Sequence, residues 1–254
     1  MPSIHNVKEK DMRLKNHTTI DTGWLRAMVS PIRNQHNFVP QTVRPRRIGI
    51  IGGRGAMGQL LAREFAADGY DVLVTGENIE GQIVGRTLAA LNRKLVRSCD
   101  VIVLAVPVHV MNGGLPEILR GGYWRGLRSK LILDITSTKS VAMEKLSHVV
   151  GASVIGTHPM FGPSVTQFGG LHVFVSPLRR GHRILDARLD KWVAWIEAFW
   201  KKRGVRVHHV APAEHDQLVT CLQFAVLAAT MLFAEVIRDS GIDIRRLREV
   251  YTPN

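Results

Sequence analysis

The chain has 254 residues, 45% of them hydrophobic and 22% charged, which is enough to close a core and too apolar for a disordered or fibrous protein. Its net charge of +13 suits small anionic ligands as well as nucleic acid. The basic residues are scattered and no nucleic-acid motif accompanies them, so no nucleic-acid partner is expected.

Cys99 and Cys221 are too few and too far apart for a disulfide framework or a metal site, and no metal is expected. No uninterrupted apolar run reaches the roughly 18 to 20 residues of a bilayer span. The nearest approach, Phe224 to Phe233, reads as a buried helix. A soluble, cytoplasmic protein with no membrane partner is the resulting expectation.

Residues 1–44 carry no sustained hydrophobic period and read as a flexible N-terminal extension outside the fold. Glu9, Asp11 and Asp21 and the lack of an amphipathic face argue against a transit peptide. The pattern changes at Arg46. An apolar strand from Arg47 to Ile51 runs into Gly52-Gly53-Arg54-Gly55-Ala56-Met57-Gly58, a helix follows to about Asp68, and Tyr70 to Thr75 forms the next strand. Val101 to Val106, Leu131 to Ile135 and Ser153 to Gly156 are further apolar strands. Continuous rather than alternating apolar strands indicate a parallel sheet covered on both faces.

Gly53, Gly55 and Gly58 complete G-x-G-x-x-G between a strand and a helix. The first glycine permits the tight turn, the second lets backbone approach a pyrophosphate, and the third packs helix against strand. The helix N-terminus then offers free amides and its positive dipole end to phosphate. Arg54 and Met57 within the fingerprint, and Pro107 at the end of a later strand, complete the expected cofactor contacts. An acid closing the second strand would hold the ribose hydroxyls of NAD. Gly76 stands there instead, and Glu77 follows it. Glu77 could reach a ribose and Arg54 a 2′-phosphate, so NAD and NADP both stay open.

His158-Pro159-Met160-Phe161-Gly162-Pro163 sets one histidine in an apolar, Gly/Pro-bounded loop about a hundred residues after the fingerprint. Beyond it, Leu171 to Val175 and Val205 to Val210 read as strands. Leu185, Leu189, Trp192, Val193, Ile196, Phe199 and Trp200 recur at helical spacing between them, so the tryptophans are core residues. Ala213 to about Ser240 reads as a long helix that is apolar around most of its circumference and suited to a second subunit. The fold class is therefore α/β: residues 45–210 form a Rossmann-type, doubly wound, mainly parallel sheet. Residues 211–254 form a partial, truncated helical segment for dimerisation.

The hexapeptide, combined with Asp134-Ile135-Thr136-Ser137-Thr138-Lys139 and Glu214-His215-Asp216-Gln217, resembles the prephenate dehydrogenase family from about Arg46 onward. The resemblance implies oxidative decarboxylation of prephenate to 4-hydroxyphenylpyruvate, in tyrosine synthesis, with NAD or NADP taking the hydride. It implies a catalytic pair, His158 and Ser137, and substrate contacts at Lys139, His215 and Gln223. A neutral imidazole suits such a reaction because the substrate hydroxyl must lose a proton as the carbonyl develops.

Two departures stand out. The family's long helix carries a histidine shortly after Gln223, where this chain has Phe224-Ala225-Val226-Leu227. A family arginine that pairs a substrate carboxylate lies beyond Asn254, and Arg245, Arg246 and Arg248 read as a solvated basic face. Two alternatives therefore stay open: an amino analogue as substrate, either arogenate or 4-amino-4-deoxyprephenate, and a non-catalytic nucleotide-binding paralogue. A homodimer through the 213–240 helix is expected.

Overall fold

A computed structural model describes residues 43–76, 88–113 and 127–246. The expected extension, Glu77 and Arg248 lie outside the described residues, apart from the last two positions of the extension. Among the described residues, seven strands form one sheet: β1 (Arg47–Ile51), β2 (Asp71–Thr75), β3 (Val101–Leu104), β4 (Leu131–Asp134), β5 (Ser153–Pro159), β6 (His172–Pro177) and β7 (Arg206–His209). Their spatial order is β2-β1-β3-β4-β5-β6-β7. The first five run parallel, β6 pairs antiparallel with β5, and β7 runs parallel to β6. The strand order reverses direction between β1 and β3, and ligands of open α/β sheets bind outside the carboxyl ends at such a point.

Helices cover both faces. One core joins β1, β3, β4 and β5 to α1 (Ala56–Ala67) and α5 (Arg183–Lys201) through Phe65, Trp192, Trp195, Phe199 and Trp200. Phe65 packs against Phe199 with ring centroids 4.4 Å apart. The opposite core uses α2 (Leu88–Ser98) and α4 (Ser140–Ser147), through Leu95, Val96, Met143 and Leu146. A short α3 (Val108–Gly113) follows β3. The continuous apolar strands expected of a parallel sheet are present, since β3, β4 and β5 are buried along their whole length.

Two expectations fail. The fifth strand does not stop at Gly156: it continues to Pro159, and His158 pairs with Phe174 of β6. Glycine and proline suggested a loop, but β6 supplies ladder partners, and a Cβ at Gly156 would sit 2.9 Å from both Lys139 Cδ and Met143 Sδ. Close packing, not a turn, explains that glycine.

The second failure concerns the apolar C-terminal segment. α6 (Pro212–Val219), a π-helical turn (Thr220–Phe224) and α7 (Ala225–Asp239) make one helix of 28 residues. Phe224, Leu227, Met231 and Phe233 are each more than half exposed, so the segment is not buried within this chain. An 18-residue window of it reaches a mean hydropathy of 1.8, so by length and composition alone the helix could cross a bilayer, which the uninterrupted run at 224–233 had hidden. A subunit interface makes the same demand for exposed apolar side chains.

Candidate active site

At the β1/β3 reversal the chain forms a cleft of about 740 Å³, lined among others by Gly52, Gly55, Met57, Gly58, Pro107 and Ser137. The glycines divide their work differently from the sequence expectation. Gly52, not Gly53, takes the positive φ of +79°, and a Cβ there would meet Ala105 O at 2.3 Å. Gly53 is not among the residues that line the cleft; it donates its N–H to Thr75 O at 2.8 Å, and a Cβ there would meet Val74 Cβ at 2.7 Å. A Cβ at Gly58 would come within 2.5 Å of Gly52 O, so this residue lets α1 lie against the turn. Gly55 precedes α1, whose N-terminus has neither a side-chain cap nor an acid in its first turn. Such a helix end presents unsatisfied N–H groups to an anion. These features fit a dinucleotide pyrophosphate. Arg54 is exposed beside Gly76 and does not line the cleft.

Beyond β4, a buried polar network shapes the loop that presents Ser137. Asp134 accepts the Thr136 N–H at 3.1 Å and the Thr136 hydroxyl at 2.9 Å. Lys139 folds back so that its Nζ lies 2.5 Å from Asp134 Oδ2 and donates to Thr136 O at 2.6 Å. Both charged side chains are fully buried. Burial pulls the Lys139 amine below its usual value against the opposing attraction of Asp134. Lys139 is thus a latch within the loop and is not placed to touch substrate. Ser137 is left exposed at the cleft.

His158 lies on the adjacent strand, two residues past Gly156, the register partner of Asp134. Only 7% of it is exposed. Its Nδ1 is 2.9 Å from His215 Nε2, and His215 Nδ1 is 2.8 Å from Asp216 Oδ1. Asp216 also accepts the backbone N–H groups of Lys139 at 2.7 Å and Ser140 at 2.8 Å, docking α6 on the start of α4. Burial first, then the nearby Lys139 and His215, push the His158 imidazole down to about 3, with Asp216 opposing. His158 is therefore held neutral at ordinary pH, which leaves one ring nitrogen able to accept a hydrogen bond.

The expected substrate contacts separate. His215 is fully buried behind His158, and Gln223 is exposed in the π-helical turn. Asp216 was absent from the expected site. The one sequence signal for it was its place in the Glu214 to Gln217 motif. The remainder of the hexapeptide is anchored by Phe161, whose ring packs edge-on against Phe168 and Trp200.

Residues 61–209, more than half of the chain, match the family model described as "Prephenate dehydrogenase, nucleotide-binding domain". The chain belongs to the prephenate dehydrogenase family. The family model's match begins inside α1, beyond the glycine turn. The "Probable arogenate/prephenate dehydrogenase" of Methanocaldococcus jannaschii is 29% identical over 216 residues, covering 81% of this chain and 46% of that protein. The chain spans about half the length of the curated relatives it matches. Two solved structures share the fold. A prephenate dehydrogenase from A. aeolicus, in complex with hydroxyphenyl propionate and NAD+, superposes with a TM-score of 0.56 at 17% identity, covering 79% of this chain and 72% of that one. An imine reductase from Myxococcus stipitatus, a variant in complex with NAD+, gives 0.57 at 22% identity over 80% and 69%.

For a nucleotide-binding domain of the prephenate dehydrogenase family, Gly58→Val is a direct test of the turn. The added side chain must displace α1 from Gly52, and nucleotide affinity is expected to fall at least about tenfold, roughly 1.4 kcal/mol. Calorimetric titration with NAD+ and NADP+ checks this.

Proposed function

We propose that the chain oxidatively decarboxylates prephenate to 4-hydroxyphenylpyruvate, a step in tyrosine synthesis, using NAD or NADP. The observation that carries this reading is His158, buried and neutral, on the strand next to the one whose end presents Ser137 at the nucleotide cleft. The names of the M. jannaschii relative and the A. aeolicus structure point to the same substrate class.

The residues that would hold the cofactor are Gly52, Gly55, Met57, Gly58 and Pro107, with the uncapped end of α1 facing the pyrophosphate. When bound, it supplies the acceptor for the hydride leaving the ring carbon that bears the hydroxyl. His158 accepts the hydroxyl proton as the carbonyl develops. Ser137 is available to hydrogen-bond the same oxygen. The bond to the ring carboxylate then breaks, its electron pair completes the aromatic ring, carbon dioxide leaves, and the oxygen regains a proton as the phenol. Rearomatisation provides the drive, so the protein's task is positioning and proton acceptance.

Purified protein assayed with prephenate, arogenate and 4-amino-4-deoxyprephenate, each with NAD+ and NADP+, tests the reading. Prephenate turnover supports it, turnover of an amino analogue alone reassigns the substrate, and nucleotide binding without any turnover removes the activity.

The same reading includes a cytoplasmic homodimer joined by the exposed 212–239 helix. Support comes from Leu227, Met231, Leu232 and Phe233, each more than half exposed on one apolar element. Introducing charge with Leu227→Glu and Phe233→Glu is expected to convert a dimer to a monomer in sedimentation velocity at micromolar concentration. An unchanged sedimentation coefficient would remove this interface.

A further inference from the structure

We propose that Asp216 is a positioning residue that, acting through His215, fixes the tautomer of His158 so that its Nε2 is a bare lone pair. The inference follows from a chain of three contacts. An ionised carboxylate only accepts hydrogen bonds, so His215 Nδ1, 2.8 Å from Asp216 Oδ1, carries the proton. A neutral imidazole has one N–H, which leaves His215 Nε2 as an acceptor. His158 Nδ1 lies 2.9 Å from that nitrogen and donates to it. The proton of His158 is thereby committed to Nδ1.

The surroundings keep each member in the required state. Asp216 sits at the N-terminus of α4, where the N–H groups of Lys139 and Ser140 point at its two oxygens. Partial burial favours the protonated acid, but these hydrogen bonds and the one from His215 outweigh it and hold the carboxyl at about 2. His215 is held below its usual value, chiefly by burial, with the Asp216 hydrogen bond opposing. The charged and titratable groups around His158 are Lys139 from the β4 loop, His215 and Asp216 from α6, and Asp134 from β4, whose charge is matched by Lys139. The Phe174 and His215 rings meet at right angles with centroids 5.2 Å apart.

The consequence for catalysis rests on the proposed proton acceptance by His158, whereas the tautomer does not. If His158 carried its proton on Nε2 instead, it would present a donor where the reaction needs an acceptor. The relation parallels the aspartate of hydrolase triads, which holds an imidazole in its working tautomer. Here a second histidine is interposed between carboxylate and base.

Long-range proton–nitrogen correlation spectra of the full chain at pH 7 read the tautomer, with His158→Asn supplying the assignment. The expected result is a protonated Nδ1 and an unprotonated Nε2 at His158. Asp216→Asn should mix the two tautomers and lower kcat by about 100-fold or more, with KM changed by less than about threefold. Because Asp216 also caps α4, a second variant separates the roles. His215→Phe leaves the cap in place, yet should release the His158 tautomer as Asp216→Asn does. An Nε2-protonated His158 in the wild type, or an unchanged tautomer in His215→Phe, overturns the inference. If no substrate is turned over, the proposed function fails while the tautomer result still decides this point.

Discussion

Turnover of a chain carrying His158→Asn is expected to drop by about 10² to 10⁴-fold, the usual worth of a positioned general base. Asparagine keeps a donor near Nδ1 for His215 and removes the basic nitrogen, so folding should be little affected, as circular dichroism can verify. The pH dependence gives a second reading. His158 titrates at about 3 in the folded chain, against about 6.5 for an unperturbed imidazole. Between those values the unfolded chain binds the extra proton. Stability from this group is therefore full above about pH 6.5 and is lost as pH falls toward 3. For the same reason kcat/KM should show no inflection near 6.5 from this histidine. A clear inflection there, absent from the asparagine variant, would show that the base is ordinary and solvated.

Lys139→Met should be the most damaging single change to stability outside the hydrophobic core. It leaves Asp134 fully buried without its cation, and breaking such a pair costs about 3 to 5 kcal/mol. Adding Asp134→Asn removes the stranded charge, so the double variant should unfold at higher denaturant than Lys139→Met alone. Chemical denaturation of the three proteins measures this. A double variant no more stable than the single one would mean that the lysine acts by packing rather than by charge. Since the pair shapes the loop that presents Ser137, the single variant should lose activity as well.

The sequence made the sheet legible because parallel strands buried on both faces are written as unbroken apolar runs, and Gly58 carries a constraint that a close backbone approach imposes. It located His158 without its setting. Pairing with β6 turned a loop into a strand, and nothing local announces a partner 16 residues away. His215 and Lys139 were visible as polar residues in the right motifs, yet their roles changed. A buried lysine and a solvent-facing one read alike until Asp134 is seen to reach it. Asp216 was overlooked because its three partners, His215, Lys139 and Ser140, meet only when α6 packs on α4. The 224–233 segment was misjudged for a related reason: apolar residues all round a helix state that something must cover it, not what.

His215 and Asp216 occupy the first turns of the same 28-residue helix whose far part is exposed and apolar. At 1.5 Å per residue that element is a rod of about 42 Å. One end carries the His215 and Asp216 contacts to His158, and the other carries the exposed apolar side chains. Fraying of the near end would withdraw the acceptor from His158, so hydrogen exchange of the amides at 215–219 measures how often the base is out of register. In the proposed dimer, a partner gripping the distal end would damp that fraying from some tens of ångströms away.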